Sequence, residues 1–467
     1  MGRLFGTDGI RGIANADLSL ELVDHVARAA VHVLAEGGRG RFAVGRDPRI
    51  SGDLIEAALA AGICSAGADV LRLGVIPTPA VAFLAARLDV QAGVVISASH
   101  NPMEDNGVKF FAATGFKLPD AAEDQIEELL ALASTLPRPT GGGVGRILDV
   151  PDAAEQYLAH LAGLARGSLE GWRIVVDCAN GASSRVAPAL WERLGATVIP
   201  LNAAPDGLNI NVASGSTHPE VIQAAVITHQ ADVGFAHDGD GDRLIAADRR
   251  GGLVDGDTII GITALHRLAR GALPERVVVA TVLSNIGLEQ ALRSAGVRLE
   301  RVRVGDKYVI ERMLEIGARI GGEQSGHVVF LDRATTGDGL VTAIELINVM
   351  LDSGNRLDEL RSQFRYYPQV ALNVRVADPG RWAGDPEIQR ALRQAQNRLG
   401  SHGRVLIRAS GTEPLVRVMA ECEDAQIAEE VARGLSDLVR RRLRLVETPE
   451  PEKVTGEDPA QTGGEWE

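Results

Sequence analysis

Short apolar runs alternating with amphipathic helical segments predict an α/β protein whose sheets are covered on both faces. Chain length adds that there are several such units. A chain of 467 residues exceeds what one core organises, so about three or four domains are expected. The last stretch breaks the alternation. Between about 368 and 445 it reads as strands at 370–376, 405–408 and 416–420, with helices near 385–399 and from about 425. That pattern predicts a smaller α+β domain at the C-terminal end.

The elements follow in order. Residues 18–34 have the apolar spacing of an amphipathic helix, and 42–44 that of a strand. Ser51 is placed to cap a helix running to about residue 65, and 70–75 is again a strand. The run 94–96 is a buried strand, and further strands are expected at 172–176, 197–201, 233–236, 277–282 and 299–304. Breaks fall at PRPTGGGVG (137–145), at Gly251-Gly252 and at Tyr366-Tyr367-Pro368. Beyond residue 446 the chain is polar and acidic, a composition that predicts disorder. No short-period repeat is visible.

Composition narrows the function class. With 45% hydrophobic and 24% charged residues the chain is an ordinary globular one. A net charge of −14 argues against nucleic acid as a partner, while a local basic pocket still admits a small anionic substrate. The opening MGRLFGTDGIRG lacks the apolar run of a signal peptide, and no stretch predicts a membrane span. Cys64, Cys178 and Cys422 are odd in number and far apart, which predicts reduced thiols and a cytoplasmic protein rather than a disulfide framework. Lysine is scarce (Lys109, Lys117, Lys307 and Lys453), so Lys109, ten residues after Ser99, stands out.

Four segments carry chemistry. In VVISASHNP (94–102) a buried strand ends in Ser97-Ala98-Ser99-His100 and breaks at Asn101-Pro102, which presents Ser99 from a rigid scaffold. A serine that merely bonds its own turn is the competing reading. In DVGFAHDGDGDR (232–243) a strand runs into Asp238, Asp240 and Asp242 spaced by glycines. Three clustered carboxylates repel unless a cation intervenes, and oxygen-only ligands predict a hard one, Mg²⁺ or Ca²⁺. An EF-hand is excluded: Arg243 stands where it needs glycine and Arg249 where it needs glutamate. In GGEQSGH (321–327), Glu323, Ser325 and His327 alternate and would face one side of an extended loop, offering donors and acceptors for sugar hydroxyls. A surface turn explains that segment equally well. In RASGTEPLVR (408–417), Arg408 and Arg417 flank Ser410, Gly411 and Thr412, which makes either a phosphate cradle or an ordinary turn between strands.

Charge arithmetic joins the first two segments. A phosphoserine at Ser99 carries about −2, three aspartates add −3 and a divalent cation returns +2; Arg243, Lys109 and Arg11 would neutralise the rest. Phosphoryl transfer depends on such a balance.

Together with the opening FGTDGIRG, these segments in this order resemble the α-D-phosphohexomutase family over roughly residues 1–445. PDGLNINVASGSTH (205–218) and VGDKYV (304–309) resemble its amino-sugar branch, with Ser214 where many members carry cysteine and Lys307 where arginine is common. The resemblance implies four domains around a central cleft, three similar α/β domains and a smaller α+β lid. The expected bounds are 1–150 with the phosphoserine loop, 151–252 with the metal loop, 253–366 with the sugar loop and 367–446 with the phosphate loop, followed by a disordered tail over 447–467. It further implies that Ser99 carries the phosphoryl group and joins Asp238, Asp240 and Asp242 in holding one Mg²⁺. His100, Lys109, Arg11 and Arg243 would surround the transfer, with Ser97 in support and Lys109 as acid–base group. Glu323, Ser325 and His327 would hold the sugar, and Arg408, Ser410, Gly411, Thr412 and Arg417 the phosphate not in transfer.

The reaction implied is interconversion of glucosamine 6-phosphate and glucosamine 1-phosphate through a 1,6-bisphosphate, itself the activator, feeding nucleotide-sugar and cell-wall synthesis. A priming kinase or autophosphorylation at Ser99, and a homodimer, complete the implied partners. The nearest rival is a mutase of the same family acting on glucose or mannose phosphates. An aspartyl-phosphate phosphatase shares the strand-then-DxD opening but wants Thr or Val where Asp242 stands. A serine hydrolase lacks the G-x-S-x-G turn. An inactive sugar-phosphate-binding protein would carry no phosphate on Ser99.

Overall fold

The computed structural model describes residues 4–6, 8–35, 39–410 and 414–443. The chain packs as two units that divide between Arg365 and Tyr366. The expected tail over 447–467 lies outside the described residues.

The first unit holds three sheets built to one plan. In the first, parallel strands Arg41–Arg46, Asp69–Val75 and Ala92–Ile96 are linked by helices Gly52–Ser65 and Thr78–Ala85, and the chain then reverses into Asp105–Ala112. In the second, Arg173–Asp177, Thr197–Leu201 and Val233–Ala236 are parallel and Ile245–Asp248 reverses. In the third, Val277–Thr281, Arg298–Val302 and Ile320–Gly322 are parallel and Val328–Phe330 reverses. The spatial order is the same in each: reversed strand, third, first, second. Ile10–Ile13 and Ile147–Asp149 extend the first sheet at its edges, and Leu253–Val254 extends the second.

This repeat left no trace in residue identity because it is written in burial. The strands Ala92–Ile96, Val233–Ala236, Val277–Thr281 and Ile320–Gly322 are buried throughout, as strands covered on both faces must be. Many apolar residues satisfy that requirement, so the plan survives without sequence likeness. In each sheet the loop at the carboxyl end of the third parallel strand carries one of the motifs: Ser97 onwards, His237 onwards and Glu323 onwards. Carboxyl ends of parallel strands are where α/β sheets bind ligands, since the helical crossovers leave a crevice there.

One continuous apolar cluster joins the three sheets, including Val81, Tyr157, Trp191, Phe235, Val278 and Phe330. Trp191 stacks on Phe235 at 5.1 Å between ring centroids. Buried Tyr157 donates to Asp338 at 2.7 Å, and Asp338 caps the buried helix Gly339–Ser353.

Two local expectations change. The first helix begins at Leu20, because the Ser19 hydroxyl accepts from the Leu22 amide and caps it. Ser51 precedes its helix but caps nothing; its hydroxyl accepts from the Asn106 side chain at 2.9 Å instead.

The second unit is the expected α+β domain. Its antiparallel sheet runs Gln369–Arg375, Leu415–Cys422, Gly403–Ala409, and its helices Pro386–Leu399 and Ala425–Arg442 share a core with it. Asp385 and Asp424 cap these helices through backbone amides of their first turns. Cys64, Cys178 and Cys422 are free thiols. Among the described residues no helix is long and apolar enough to cross a membrane.

Asp257, buried in the first turn of the helix Gly256–Ala269, is a stability liability. Burial, and then Asp255 beside it, push its carboxyl up to about 7. Below the ordinary carboxylate range both folded and unfolded chains hold this proton. As pH rises toward 7 the unfolded chain releases it first, so stability falls and the full penalty is felt above pH 7. Asp257→Asn is therefore expected to raise the melting temperature at pH 8 and to leave it nearly unchanged near pH 4. Thermal melts at the two pH values check this.

Candidate active site

Ser99 is buried and sits at φ +52°, a left-handed conformation that costs a non-glycine residue about 1–3 kcal/mol unless its surroundings enforce it. They do. The Ser97 hydroxyl accepts from the Ser99 amide at 2.9 Å and donates to Asp47 at 2.5 Å. Asp47 in turn pairs with Arg49, which is fully buried and donates to the Ser99 and Asn101 carbonyls at 3.2 and 2.6 Å. The turn thus holds the Ser99 hydroxyl where it donates to Asp238 at 2.5 Å and lies 3.3 Å from His100 Nδ1.

Asp238, Asp240 and Asp242 are buried, and a carboxylate oxygen from each lies within 4.8 Å of the others. Burial, then the charges of Asp242 and Asp240, drive the Asp238 carboxyl well above its ordinary range. Oδ1 of Asp240 and Oδ1 of Asp242 are buried without a hydrogen-bond partner. Orphaned acceptors on converging carboxylates are what a hard divalent cation would satisfy, so the residues present fit one.

A chain of alternating charges runs outward from this loop and returns to it. Asp240 meets Lys109 at 3.1 Å, Lys109 meets Asp8 at 3.0 Å, and Asp8 meets Lys117 at 2.8 Å. Lys117 meets Asp306 at 2.6 Å, Asp306 faces His327 at 3.6 Å, and His327 faces Asp242 at 3.4 Å. Arg11 pairs with Asp8, and Thr78 donates to Asp240 at 2.7 Å. Burial alone would push the Lys109 ammonium down, but Asp240 and Asp8 outweigh it and hold the group above the ordinary lysine range. Both carboxylates thus favour the charged ammonium at Lys109. Burial and then Arg243 and Arg11 pull His100 down to about 4, so it is neutral at pH 7.

His327 is buried, lies between Asp242 and Asp306, and also feels the charge of Glu323. Burial opposes its charge, yet the two carboxylates raise it to about 9. Glu323 accepts from the Gly305 amide at 3.0 Å, and the Ser325 hydroxyl is buried with no partner. Arg243 binds Asp238 through its backbone amide at 3.2 Å, leaving its guanidinium beside Asp242.

In the second unit, Arg408 and Arg417 lie directly opposite each other on antiparallel strands. Burial and then Arg417 disfavour the charged form of Arg408. Like charges placed opposite on a sheet destabilise it, so this pairing suits an anion. The Ser410 amide donates to the Leu415 carbonyl at 2.9 Å. Gly411 and Thr412 lie outside the described residues.

Comparison with known proteins gives this geometry a family. Models of the phosphoglucomutase/phosphomannomutase α/β/α domains I, II and III match residues 2–135, 155–252 and 255–367, and the C-terminal domain model matches 372–438. A phosphoglucosamine mutase from Moorella thermoacetica is 54% identical over 93% of this chain and 98% of its own. One from Rhodococcus jostii is 53% identical over 94% and 99%. The chain belongs to the phosphohexomutase family, in its phosphoglucosamine mutase branch. Phosphohexomutases are isomerases, and the four domains found here are theirs. Among solved structures, a phosphoglucomutase/phosphomannomutase family protein from Burkholderia thailandensis shares the fold at TM-score 0.78 and 24% identity, covering 95% of this chain and 99% of its own. An Aspergillus fumigatus N-acetylphosphoglucosamine mutase, solved with GlcNAc-6P and magnesium, shares it at 0.64 and 18%, covering 94% and 95%.

Several residues bonded to these motifs or to one another around them escaped the sequence reading: Asp8, Asp47, Arg49, Thr78, Lys117 and Asp306. Each acts on a motif from another segment, so local spacing holds no signal for it. Asp8 and Asp306 did lie inside segments singled out for other reasons, FGTDGIRG and VGDKYV.

Proposed function

We propose that the chain interconverts glucosamine 6-phosphate and glucosamine 1-phosphate by way of a phosphoryl group carried on Ser99. The observation that carries the chemistry is the Ser99 hydroxyl held 2.5 Å from Asp238, at the lip of a buried carboxylate triad. Relatives about half identical over nearly the whole chain support the amino sugar, and they do not favour the mutase of neutral sugars.

Asp238, Asp240 and Asp242, with the Ser99 phosphate, would hold one Mg²⁺, which when bound neutralises charge on the phosphoryl oxygens. The chain's own groups do the rest. Arg49, Asp47 and Ser97 keep Ser99 in its turn. Lys109 and Arg243 supply positive charge, and His100 lies beside Ser99 Oγ. Phosphoryl passes from Ser99 to the free hydroxyl of the sugar monophosphate, giving a 1,6-bisphosphate. That hydroxyl's proton leaves with the Ser99 oxygen as acceptor. The bisphosphate then returns its other phosphoryl to Ser99, so bisphosphate supplied from outside primes an unphosphorylated enzyme. Glu323 and Ser325 would receive sugar hydroxyls, and the Arg408–Arg417 pair offers a phosphate grip on the C-terminal unit.

The test is a coupled assay with Mg²⁺ that compares glucosamine 6-phosphate, glucose 1-phosphate and mannose 1-phosphate. The expected result is a preference for the amino sugar of at least tenfold, about 1.4 kcal/mol in transition-state binding. Equal or better turnover of the neutral sugars would transfer the protein to the other branch.

A further inference from the structure

The segment PDGLNINVASGSTH has no role in the description above, yet four of its residues sit at positive φ. Asn211 and Ala213 sit at φ +60° and +45°, Gly207 and Gly215 at +90° and +71°. Non-glycine residues at positive φ persist only where their surroundings over-determine them, and they gather at functional sites. The surroundings here are the serine loop and the metal loop. Asn211 Nδ2 donates to the Ser99 carbonyl at 2.9 Å and to the Asn101 carbonyl at 3.0 Å. These are the two carbonyls that Arg49 holds from the loop after strand Arg41–Arg46. The same segment fastens to the metal loop: the Ser216 amide donates to the His237 carbonyl at 2.9 Å, one residue before Asp238. It also reaches the loop after strand Arg41–Arg46, where the Ile50 amide donates to the Gly207 carbonyl at 2.9 Å, beside Arg49. At Gly239 a side chain would strike the Ser99 carbonyl at 2.5 Å and Asn211 Nδ2 at 2.8 Å, so the three loops close on one another with no space to spare.

We propose that Asn211 is a positioning residue for phosphoryl transfer: its amide clamps the serine loop against the metal loop and sets the distance between Ser99 and the Asp238 carboxylate. Arg49 and Asn211 grip the same two carbonyls from different domains. Removing Asn211 therefore leaves the turn formed but free to shift along the line that joins Ser99 to the triad. A displacement of about 1 Å at a reacting group costs up to 10²-fold in rate. The segment then marks the amino-sugar branch through how it seats the nucleophile, not through contact with the amino group.

This rests on Ser99 being the phosphoryl carrier, and the experiment separates the two. Asn211→Gly deletes the amide while tolerating the positive φ; Asn211→Ser keeps a shorter polar side chain. Both are compared with wild type and Ser99→Ala for kcat, KM, melting temperature and the rate of phosphate uptake from glucose 1,6-bisphosphate, followed by intact mass. The expected result for Asn211→Gly is kcat and phosphate uptake about 10- to 100-fold lower, with KM within about twofold, and partial recovery in Asn211→Ser. A merely structural residue would lower the melting temperature and leave kcat of the folded fraction alone. Unchanged kcat and uptake in a folded Asn211→Gly, or a rise in KM alone, overturns the inference while Ser99→Ala stays inactive. If Asn211→Gly does not fold, an Asn211→Ser enzyme with wild-type kcat overturns it equally. Activity surviving in Ser99→Ala overturns the carrier assignment, and this inference with it.

Discussion

Ser99→Ala is expected to lower kcat by on the order of 10⁴-fold or more and to abolish phosphate uptake from a sugar 1,6-bisphosphate. The size follows from the route. A mutase that shuttles its phosphoryl group through one hydroxyl has no second path when that hydroxyl is gone, unlike an enzyme that loses one of several helpers. The substitution removes one oxygen from a buried turn, and every bond that shapes the turn comes from elsewhere: Ser97 to the amide, Arg49 and Asn211 to the carbonyl. Folding is thus expected to be nearly unaffected, apart from the strain of alanine at φ +52°. Intact mass before and after incubation with the bisphosphate, together with the coupled assay, checks both halves. A gain of one phosphate in Ser99→Ala would point to Ser97 as carrier, although Ser97 is committed to Asp47 and has no exposure.

Asp240→Asn is expected to act on two levels. It removes one charge from the triad, so the Mg²⁺ concentration for half-maximal activity should rise at least tenfold and kcat fall by about 10³-fold, several kcal/mol of lost charge stabilisation. It also strips Lys109 of one of its two carboxylates, leaving Asp8, and Thr78 of a charged acceptor. Losing such charge-assisted bonds in the interior costs about 2 kcal/mol, so the metal-free variant should melt below metal-free wild type. Magnesium titrations of activity separate the first effect, and melts in EDTA the second. If Mg²⁺ dependence were unchanged while stability fell, Asp240 would belong to the charge chain alone.

The parts of this protein that the sequence determined by itself are those encoded locally. The alternation of buried strands and amphipathic helices specified the α/β class, because burial on both faces demands continuous apolar runs. Ser99 and the DGDGDR loop were legible for a related reason: each follows directly on such a run, and a strand end is a position that spacing can reveal. Lys109 was legible as a residue, but its partners Asp240 and Asp8 were not, one of them 131 residues away. For His327 alternation in GGEQSGH marked the residue, while its neighbours Asp242 and Asp306 come from other segments. Asp47 and Arg49, which hold Ser99 in its turn, carry no local mark at all, and Asn211 was marked only as part of PDGLNINVASGSTH. Their work is done on the carbonyls and amides of other loops, and only tertiary packing brings those groups within reach. Sequence determines which groups a segment can offer; the folded chain decides which partner each one meets, because a hydrogen bond requires contact and contact is set by three sheets closing on one another.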